Sequence, residues 1–367
     1  LGYAGWDDDT DANPDATGVV HWIDGEAEEL PRAWADDRSR VHLVAPSGAD
    51  LRTIEVPGHS QVEFARPLLG GRILALSVDE GLTLLEADGT VVWQVAARCH
   101  HEVTVVPRKG DRPGTRLFAV ALHSPRRFEG RNVYFDEVGF WEEATGAQSG
   151  DPAWGTWSTW EHREALDRAV GGAPHALSVP PKNSDQGTAP SEGSPAGSSD
   201  RTYDYFHLNG IAFDGPRQMI VCLRNVSLIA EVSLSDGRIA NSYGPGLLDW
   251  PHAPSCVESE DGERSLLVFD NGAHRGWSRV VEVSRRTGEI VWEWRGSEER
   301  PLWSKVRGFA ERLPGGNTLI TESERGRAVE ITRSGQILWE FLNPELRRSV
   351  NGVQRRRIYR LISVPIE

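Results

Sequence analysis

The sequence predicts an all-β fold, a six-bladed β-propeller, and three observations carry that expectation. Short turns ending in Gly48, Gly89, Gly146, Gly237, Gly288 and Gly335 recur along the 367 residues. Most join one apolar run to another that ends in Trp, as in Leu82 to Trp93, Val280 to Trp292 and Ala328 to Trp339. A second series of hairpins, beginning near Ala65, His101, His207, His252 and Arg307, falls between the first. Gly supplies the positive φ such turns need, and the flanking β-branched and aromatic residues suit a pleated, half-buried surface. Strand pairs repeated at this period are the signature of a propeller.

In chain order, residues 1–16 read as an N-terminal extension and 17–367 as one propeller. The run Asp7–Asp11 has the alternating carboxylates of a calcium loop's first half, but Pro14 interrupts the turn and Gly18 replaces the bidentate Glu, so no calcium site is expected. Six outer hairpins against five inner ones leave one inner partner missing. The segment Arg357–Val364 is expected to supply it by pairing with residues around Val19–Trp22, closing the ring and removing its sheet edges. Between the third and fourth blades, residues 171–200 are rich in Gly, Ser, Pro and Ala and predict a mobile insertion. Just before it, Trp154, Trp157 and Trp160 with Glu161–Leu166 predict a short helix over the ring, the tryptophans serving as packing.

Bulk composition narrows the function classes. Asp and Glu number 54 against 40 Lys and Arg, a formal net charge of −14, which argues against a nucleic-acid surface. The local exception, Arg355-Arg356-Arg357, reads as a solvated chain end. No unbroken apolar run reaches membrane-spanning length, so no membrane span is expected. Cys99, Cys222 and Cys256 have no metal-ligand spacing and read as small buried thiols. The chain shows no basic-then-apolar leader, although it starts at Leu1, so its compartment stays open. Nothing in the sequence sets the oligomeric state.

The chemistry-bearing pattern is positional. His101, His207 and His252 stand at nearly the same point of three inner hairpins, where a strand begins to line the central channel. Blade-equivalent positions converge on one mouth of the axis, so the three imidazoles are expected to share a space. Asn209, two residues beyond His207, falls on the same face of an extended segment. Arg224 ends the partner strand, where a guanidinium facing an interior requires an anion or an ion pair, for which Glu231 and Asp270 are the candidates. Three imidazoles, a carboxamide and an arginine make an oxyanion-binding cluster able to move protons or form a covalent adduct.

Several short motifs carry a family resemblance. The stretch His100-His101-Glu102-Val103, the run His207 to Gly210, Leu223-Arg224-Asn225, Pro251-His252 followed by Leu267 to Gly272, and the turn Leu313 to Asn317 together resemble the bacterial arylsulfate sulfotransferases that do not use phosphoadenosine phosphosulfate. The likeness also takes in Gly18–His21 and is weakest over 171–200. It implies a six-bladed propeller, an aryl sulfate donor and a phenolic acceptor, no cofactor, and a periplasmic or secreted location. It makes His252 the residue that carries the sulfuryl group as a sulfohistidine. His101, His207, Asn209 and Arg224 become the groups that hold the sulfuryl oxygens and move protons. Pro251 departs from the polar residue that often precedes the family's nucleophile, and the separate N-terminal sandwich domain of the best-known members has no counterpart here.

Two other readings stay open on the residues alone. Three converging imidazoles suit a divalent transition metal with an open position, and His101, His207 and His252 are then the ligands of a lyase or hydrolase. A non-catalytic propeller that binds a ligand or protein partner requires instead that the histidines be tied to backbone with no open cavity. Trp141, Tyr203, Tyr205 and Trp277 are candidates for an aromatic pocket, although with 14 tryptophans most must pack between blades.

Overall fold

The computed structural model describes residues 20–22, 27–36, 38–151, 154–171, 202–258, 262–349 and 352–365. The acidic run Asp7–Asp11, Gly18 and residues 172–200 of the expected insertion lie outside the described residues. Six mainly antiparallel sheets form the blades of a propeller. From the axis outward, blade 2 runs Phe64–Pro67, Ile73–Ser77, Gly81–Leu85 and Val91–Ala96. Blade 3 runs Cys99–Val105, Leu117–Phe128, Arg131–Glu142 and Trp157–Ser158, with Thr202–Asp204 joined in parallel to its third strand. Blade 4 comprises Leu208–Phe213, Gln218–Leu223, Leu228–Ser233 and Ile239–Tyr243, and blade 5 comprises Pro251–Glu258, Arg264–Asp270, Arg279–Ser284 and Ile290–Trp294.

Ring closure uses both chain ends, differently from the expected pairing. Ile362–Ser363 is the missing innermost strand, but it pairs with Arg32–Ala35, so blade 1 is completed by Arg40–Val44 and Asp50–Glu55. Val20–Trp22 instead adds a fifth, outermost strand to blade 6, in register Val20 to Phe341 and Trp22 to Trp339. The inner strands of that blade are Phe309–Arg312, Thr318–Glu322, Arg327–Ile331 and Ile337–Leu342. Two staples at opposite edges thus hold the ends, whereas direct pairing of the two termini would have made one. Ile358 itself lies before the closing strand, fully buried.

The six Gly turns each connect the third and fourth strands of a blade. Their glycines all have positive φ, from 67° at Gly146 to 92° at Gly89, which is why the pattern demanded Gly. The tryptophans that follow have a structural reason too. An aromatic on the fourth strand of one blade donates to a carbonyl at the turn of the next. Trp93 Nε1 reaches Glu143 O at 2.8 Å, Trp157 Nε1 Gly237 O at 3.1 Å, Trp294 Nε1 Gly335 O at 3.1 Å, and Trp339 Nε1 Pro46 O at 2.7 Å. Between blades 4 and 5 the Tyr243 hydroxyl does the same to Arg285 O at 3.0 Å. Each link satisfies a turn carbonyl while the ring fills the wedge between blades.

Strands between the inner and outer edges are largely buried on both faces, because blades pack face to face, and the buried Glu231, Glu282 and Glu330 on third strands are ion-paired with Arg285, Arg312 and Arg32. Gly81–Leu85 is buried throughout, whereas the outermost Val91–Ala96 is largely exposed. The short helix is present as Arg163–Ala169, anchored by Leu166 in the core shared by blades 3 and 4. It packs on the outer strand of blade 4 rather than over the ring. Trp160 sits edge-on to Phe128 and Phe135, so these tryptophans do pack. Cys99 and Cys222 are fully buried and Cys256 partly so, all as free thiols.

Candidate functional site

The crossovers from outer to inner strands, with the turns between second and third strands, enclose a cavity of about 450 Å³ at one mouth of the channel. His101, His207, His252 and Arg224 all line it. The His101 and His207 rings lie 4.6 Å apart, centre to centre. The local backbone explains how strand residues are turned toward the axis. His101 and His207 have φ of 53° and 59°, Ala253 beside His252 has 43°, and Arg307 has 63°. Bulges interrupt the innermost pairing at the same places, opposite Val120 to Leu122, at Leu208 to Gly210 and at His252 to Ser255. Bulges and left-handed residues re-aim side chains at a cost of about 1–3 kcal/mol each, and such strain collects at functional sites.

The same distortion removes Asn209 from the cavity wall. The two-residue alternation that put it beside His207 holds only for regular strand, and Asn209 sits in the bulge. It is fully buried, and its Nδ2 donates to Pro251 O at 2.9 Å, so it braces the backbone just before His252 instead of lining the cavity.

Hydrogen bonds fix which ring nitrogen of His252 is basic. Asn271 Nδ2 donates to Ser304 O at 2.7 Å and Arg307 O at 2.5 Å, so its Oδ1 is left to accept from His252 Nδ1 at 2.6 Å. The Nδ1 proton is therefore spoken for, and Nε2 keeps its lone pair. Burial first, then the charge of Arg224, pulls the His252 imidazole down to about 3, against the opposing bonds to Asn271 and Trp250 O. It is neutral at physiological pH.

His207 has a similar frame. Nδ1–H donates to the Asp204 carboxylate, which leaves Nε2 buried with no hydrogen-bond partner among the described residues. Burial, then Arg224 and the neighbouring histidines, holds it well below the ordinary imidazole range. His101 Nδ1 lies 2.9 Å from the Tyr359 hydroxyl, and burial followed by His207, His100 and Arg224 lowers it strongly. Arg224 stacks over Trp250 at 4.7 Å, and its Nη2 donates to Asn225 Oδ1 at 2.9 Å. The carboxylates considered for it are engaged elsewhere, Glu231 by Arg285 and Asp270 by Arg275 and Arg279.

Sequence reasoning missed several wall residues. Arg307 occupies in blade 6 the slot that histidines hold in other blades, and that equivalence was a usable signal. His100 and His123 stack 3.9 Å apart within the cavity wall, with His123 bonded to Asp79 at 2.7 Å. Glu63, raised by burial against the pull of Arg307, stands 3.8 Å from both Arg307 and His101. Among the described residues, Tyr359 is the one aromatic side chain besides histidines on the wall, while Trp141, Tyr203, Tyr205 and Trp277 are elsewhere. Arg347, Arg356 and Arg357 also line the cavity, so the basic triplet is not simply a solvated chain end. Among the described residues, no group of three or more His, Cys, Asp or Glu side chains is arranged to hold a metal ion, and no helix is long and apolar enough to cross a membrane.

Among solved structures, a protein of unknown function from Bacteroides caccae matches with a TM-score of 0.51 at 14% identity, over 85% of this chain and 93% of that one. The WD40 propeller domain of Doa1 matches at a TM-score of 0.44 and 14% identity, over 80% of this chain and 71% of its own. The first of these supports the propeller and nothing finer. No curated protein matches the chain. The profile of the arylsulfotransferase (ASST) family matches residues 157–344, the stretch that carries His207, Arg224, His252 and Asn271. That match spans more than half of the sequence, and the chain belongs to the arylsulfotransferase family.

Proposed function

We propose that this protein moves a sulfuryl group from an aryl sulfate to a phenol through a sulfohistidine at His252. The observation that carries the reading is the His252 imidazole itself, neutral, locked by Asn271 in one tautomer, its Nε2 taking one long hydrogen bond from Arg307 N at 3.2 Å, and placed on the wall of a cavity that Arg224 and Arg307 also line. In the first step Nε2 attacks sulfur, the bond from sulfur to the aryl oxygen breaks, and the phenolate leaves with the bonding pair. Arg224 and the Arg307 guanidinium face the sulfuryl oxygens. Sulfuryl transfer resembles phosphoryl transfer in its loose transition state, so positioned cations and N–H donors do most of the work.

In the second step the acceptor's phenolic proton passes to His207 Nε2, the phenol oxygen attacks sulfur, and the N–S bond returns its pair to His252. Asp204 stabilises the imidazolium formed at His207, and the proton then passes to solvent. This uses a base oriented by a carboxylate, the logic of a catalytic triad. The bound oxyanion offsets the field of Arg224 and restores basicity to His207 while substrate is present. Asn209, behind the wall, acts as a positioning residue through Pro251.

Turnover of p-nitrophenyl sulfate with a phenolic acceptor tests the reading. Wild type is expected to release p-nitrophenol in proportion to sulfated acceptor, with ping-pong kinetics, and His252→Ala to do neither. EDTA is expected to leave the rate unchanged; loss of activity on chelation with recovery on adding a transition metal makes the three histidines ligands and overturns the sulfohistidine.

A further inference from the structure

After the last blade the chain forms a hairpin that belongs to none of the six sheets, Leu346–Ser349 paired with Gly352–Arg355. It and the residues that follow bring Arg347, Arg356 and Arg357 to the cavity that also holds Arg224 and Arg307. The segment is held in place through its backbone. Asn343, fully buried, donates to Arg356 O at 2.9 Å and Arg357 O at 3.3 Å, and Ile358 N donates to Ser323 O at 3.2 Å. At Gly326 a Cβ would sit 2.1 Å from Arg356 O, so the close approach needs glycine.

The carboxylates on the wall have other partners. Asp36 serves Arg40 and His42, Asp79 His123, Asp204 His207, and Glu63 faces Arg307 and His101. Glu345 pairs with Arg40 and lies 3.6 Å from Arg356. Neither Arg347 nor Arg357 has a carboxylate within 4.0 Å among the described residues. Arg357, half-buried, is pushed down by burial and then by the like charge of Arg307, with Glu324 pulling weakly the other way and Arg347 adding to the repulsion. Guanidinium groups gathered on one cavity wall repel one another until an anion lies between them.

We propose that Arg347 and Arg357 form a second anion subsite, so that the aromatic substrate carries, besides its sulfate, a further anionic group such as a carboxylate, sulfate or phosphate. This rests on the sulfuryl-transfer reading for the first subsite. The sulfate meets Arg224 and the histidines, the ring lies toward Tyr359, and the second anion meets the hairpin arginines. A substrate with one negative charge leaves their repulsion in place.

Binding of non-transferable sulfonates tests the subsite without catalysis. Isothermal titration would compare p-sulfobenzoate, its methyl carboxylate ester and benzenesulfonate on wild type, on the double variant Arg347→Gln/Arg357→Gln, and on His252→Ala. Wild type is expected to bind p-sulfobenzoate about tenfold or more tighter than the ester. The acid-to-ester preference should fall to about twofold or less in the double variant and persist in His252→Ala. Equal affinity for acid and ester in wild type, an unchanged preference in the double variant, or no binding of any sulfonate overturns the subsite. Failure of the sulfuryl-transfer reading shows separately, as no turnover of p-nitrophenyl sulfate alongside an intact preference for the dianion.

Discussion

The backbone N–H of Arg307 points at Nε2 of His252, 3.2 Å away. A long hydrogen bond therefore engages the proposed nucleophilic nitrogen in the resting site, and the same N–H is placed to meet a sulfuryl oxygen once sulfur is bound. Arg307 holds this donor in a left-handed conformation, φ 63°, that non-Gly residues avoid.

Arg307→Gly should separate stability from activity. Glycine adopts this φ without strain, so the variant is expected to gain up to about 1 kcal/mol in stability by removing the left-handed penalty. Loss of the guanidinium should cost about tenfold or more in kcat/KM for an aryl sulfate. Thermal unfolding and steady-state kinetics on the same preparation check both, and a less stable variant with unchanged kinetics contradicts this role.

Asn271 sets the tautomer of His252, so Asn271→Asp should damage catalysis beyond its effect on folding. An aspartate cannot donate to Ser304 O and Arg307 O, and it holds a proton on His252 more strongly. A fall in kcat of about tenfold to a hundredfold is expected, with an altered pH–rate profile, whereas a purely structural role would lower the folded fraction and leave the profile unchanged.

Acid should unfold the protein early. His101, His207 and His252 are all depressed in the folded state, His252 to about 3, against an ordinary value of 6.5. Above about 6.5 both states bind no proton at these sites and stability is complete. As pH falls below that, the unfolded chain gains protons that the folded one refuses, so stability declines toward the folded values. Burial raises Glu28, Glu63 and Glu311, which act in the opposite direction, while Asp36, brought down to about 2 against its burial by hydrogen bonds from His42 and Arg40, loses stability on acidification as the histidines do. The melting temperature should drop steeply between about pH 6.5 and 4, and His207→Gln should flatten the slope. A melting temperature flat over that range contradicts the buried neutral histidines.

The blade count was legible because the determinant is local. A Gly with positive φ and an aromatic a few residues later are read from one short window, and the Trp-to-turn bonds show why the two travel together. Closure was only half legible, since nothing in Val20–Trp22 distinguishes an outer edge of blade 6 from a partner for Ile362–Ser363. Within the site, His101, His207 and His252 were visible as a repeat. Asn209 was misplaced because alternation fails across a bulge, and bulges leave no sign in residue type. Arg357 was misread because a basic triplet near a chain end looks the same whether it faces solvent or folds back over a cavity.

The seam between blades 6 and 1 offers a test of the Trp links. Trp339→Phe keeps most of the buried ring but loses the bond to Pro46 O, at an expected cost of about 1–3 kcal/mol. Activity at temperatures well below the melting point should be unchanged, because Trp339 does not line the cavity. Unchanged thermal stability would show that the link is incidental to ring closure.

The most direct test of the central claim is to expose the protein to p-nitrophenyl sulfate without acceptor, quench it at neutral or mildly alkaline pH, and map the modification by peptide mass spectrometry. A mass gain of one sulfuryl group on His252, absent in His252→Ala and discharged when phenol is added before the quench, is the predicted result. Release of p-nitrophenol with no label on His252, or a label that phenol does not remove, contradicts the sulfohistidine account.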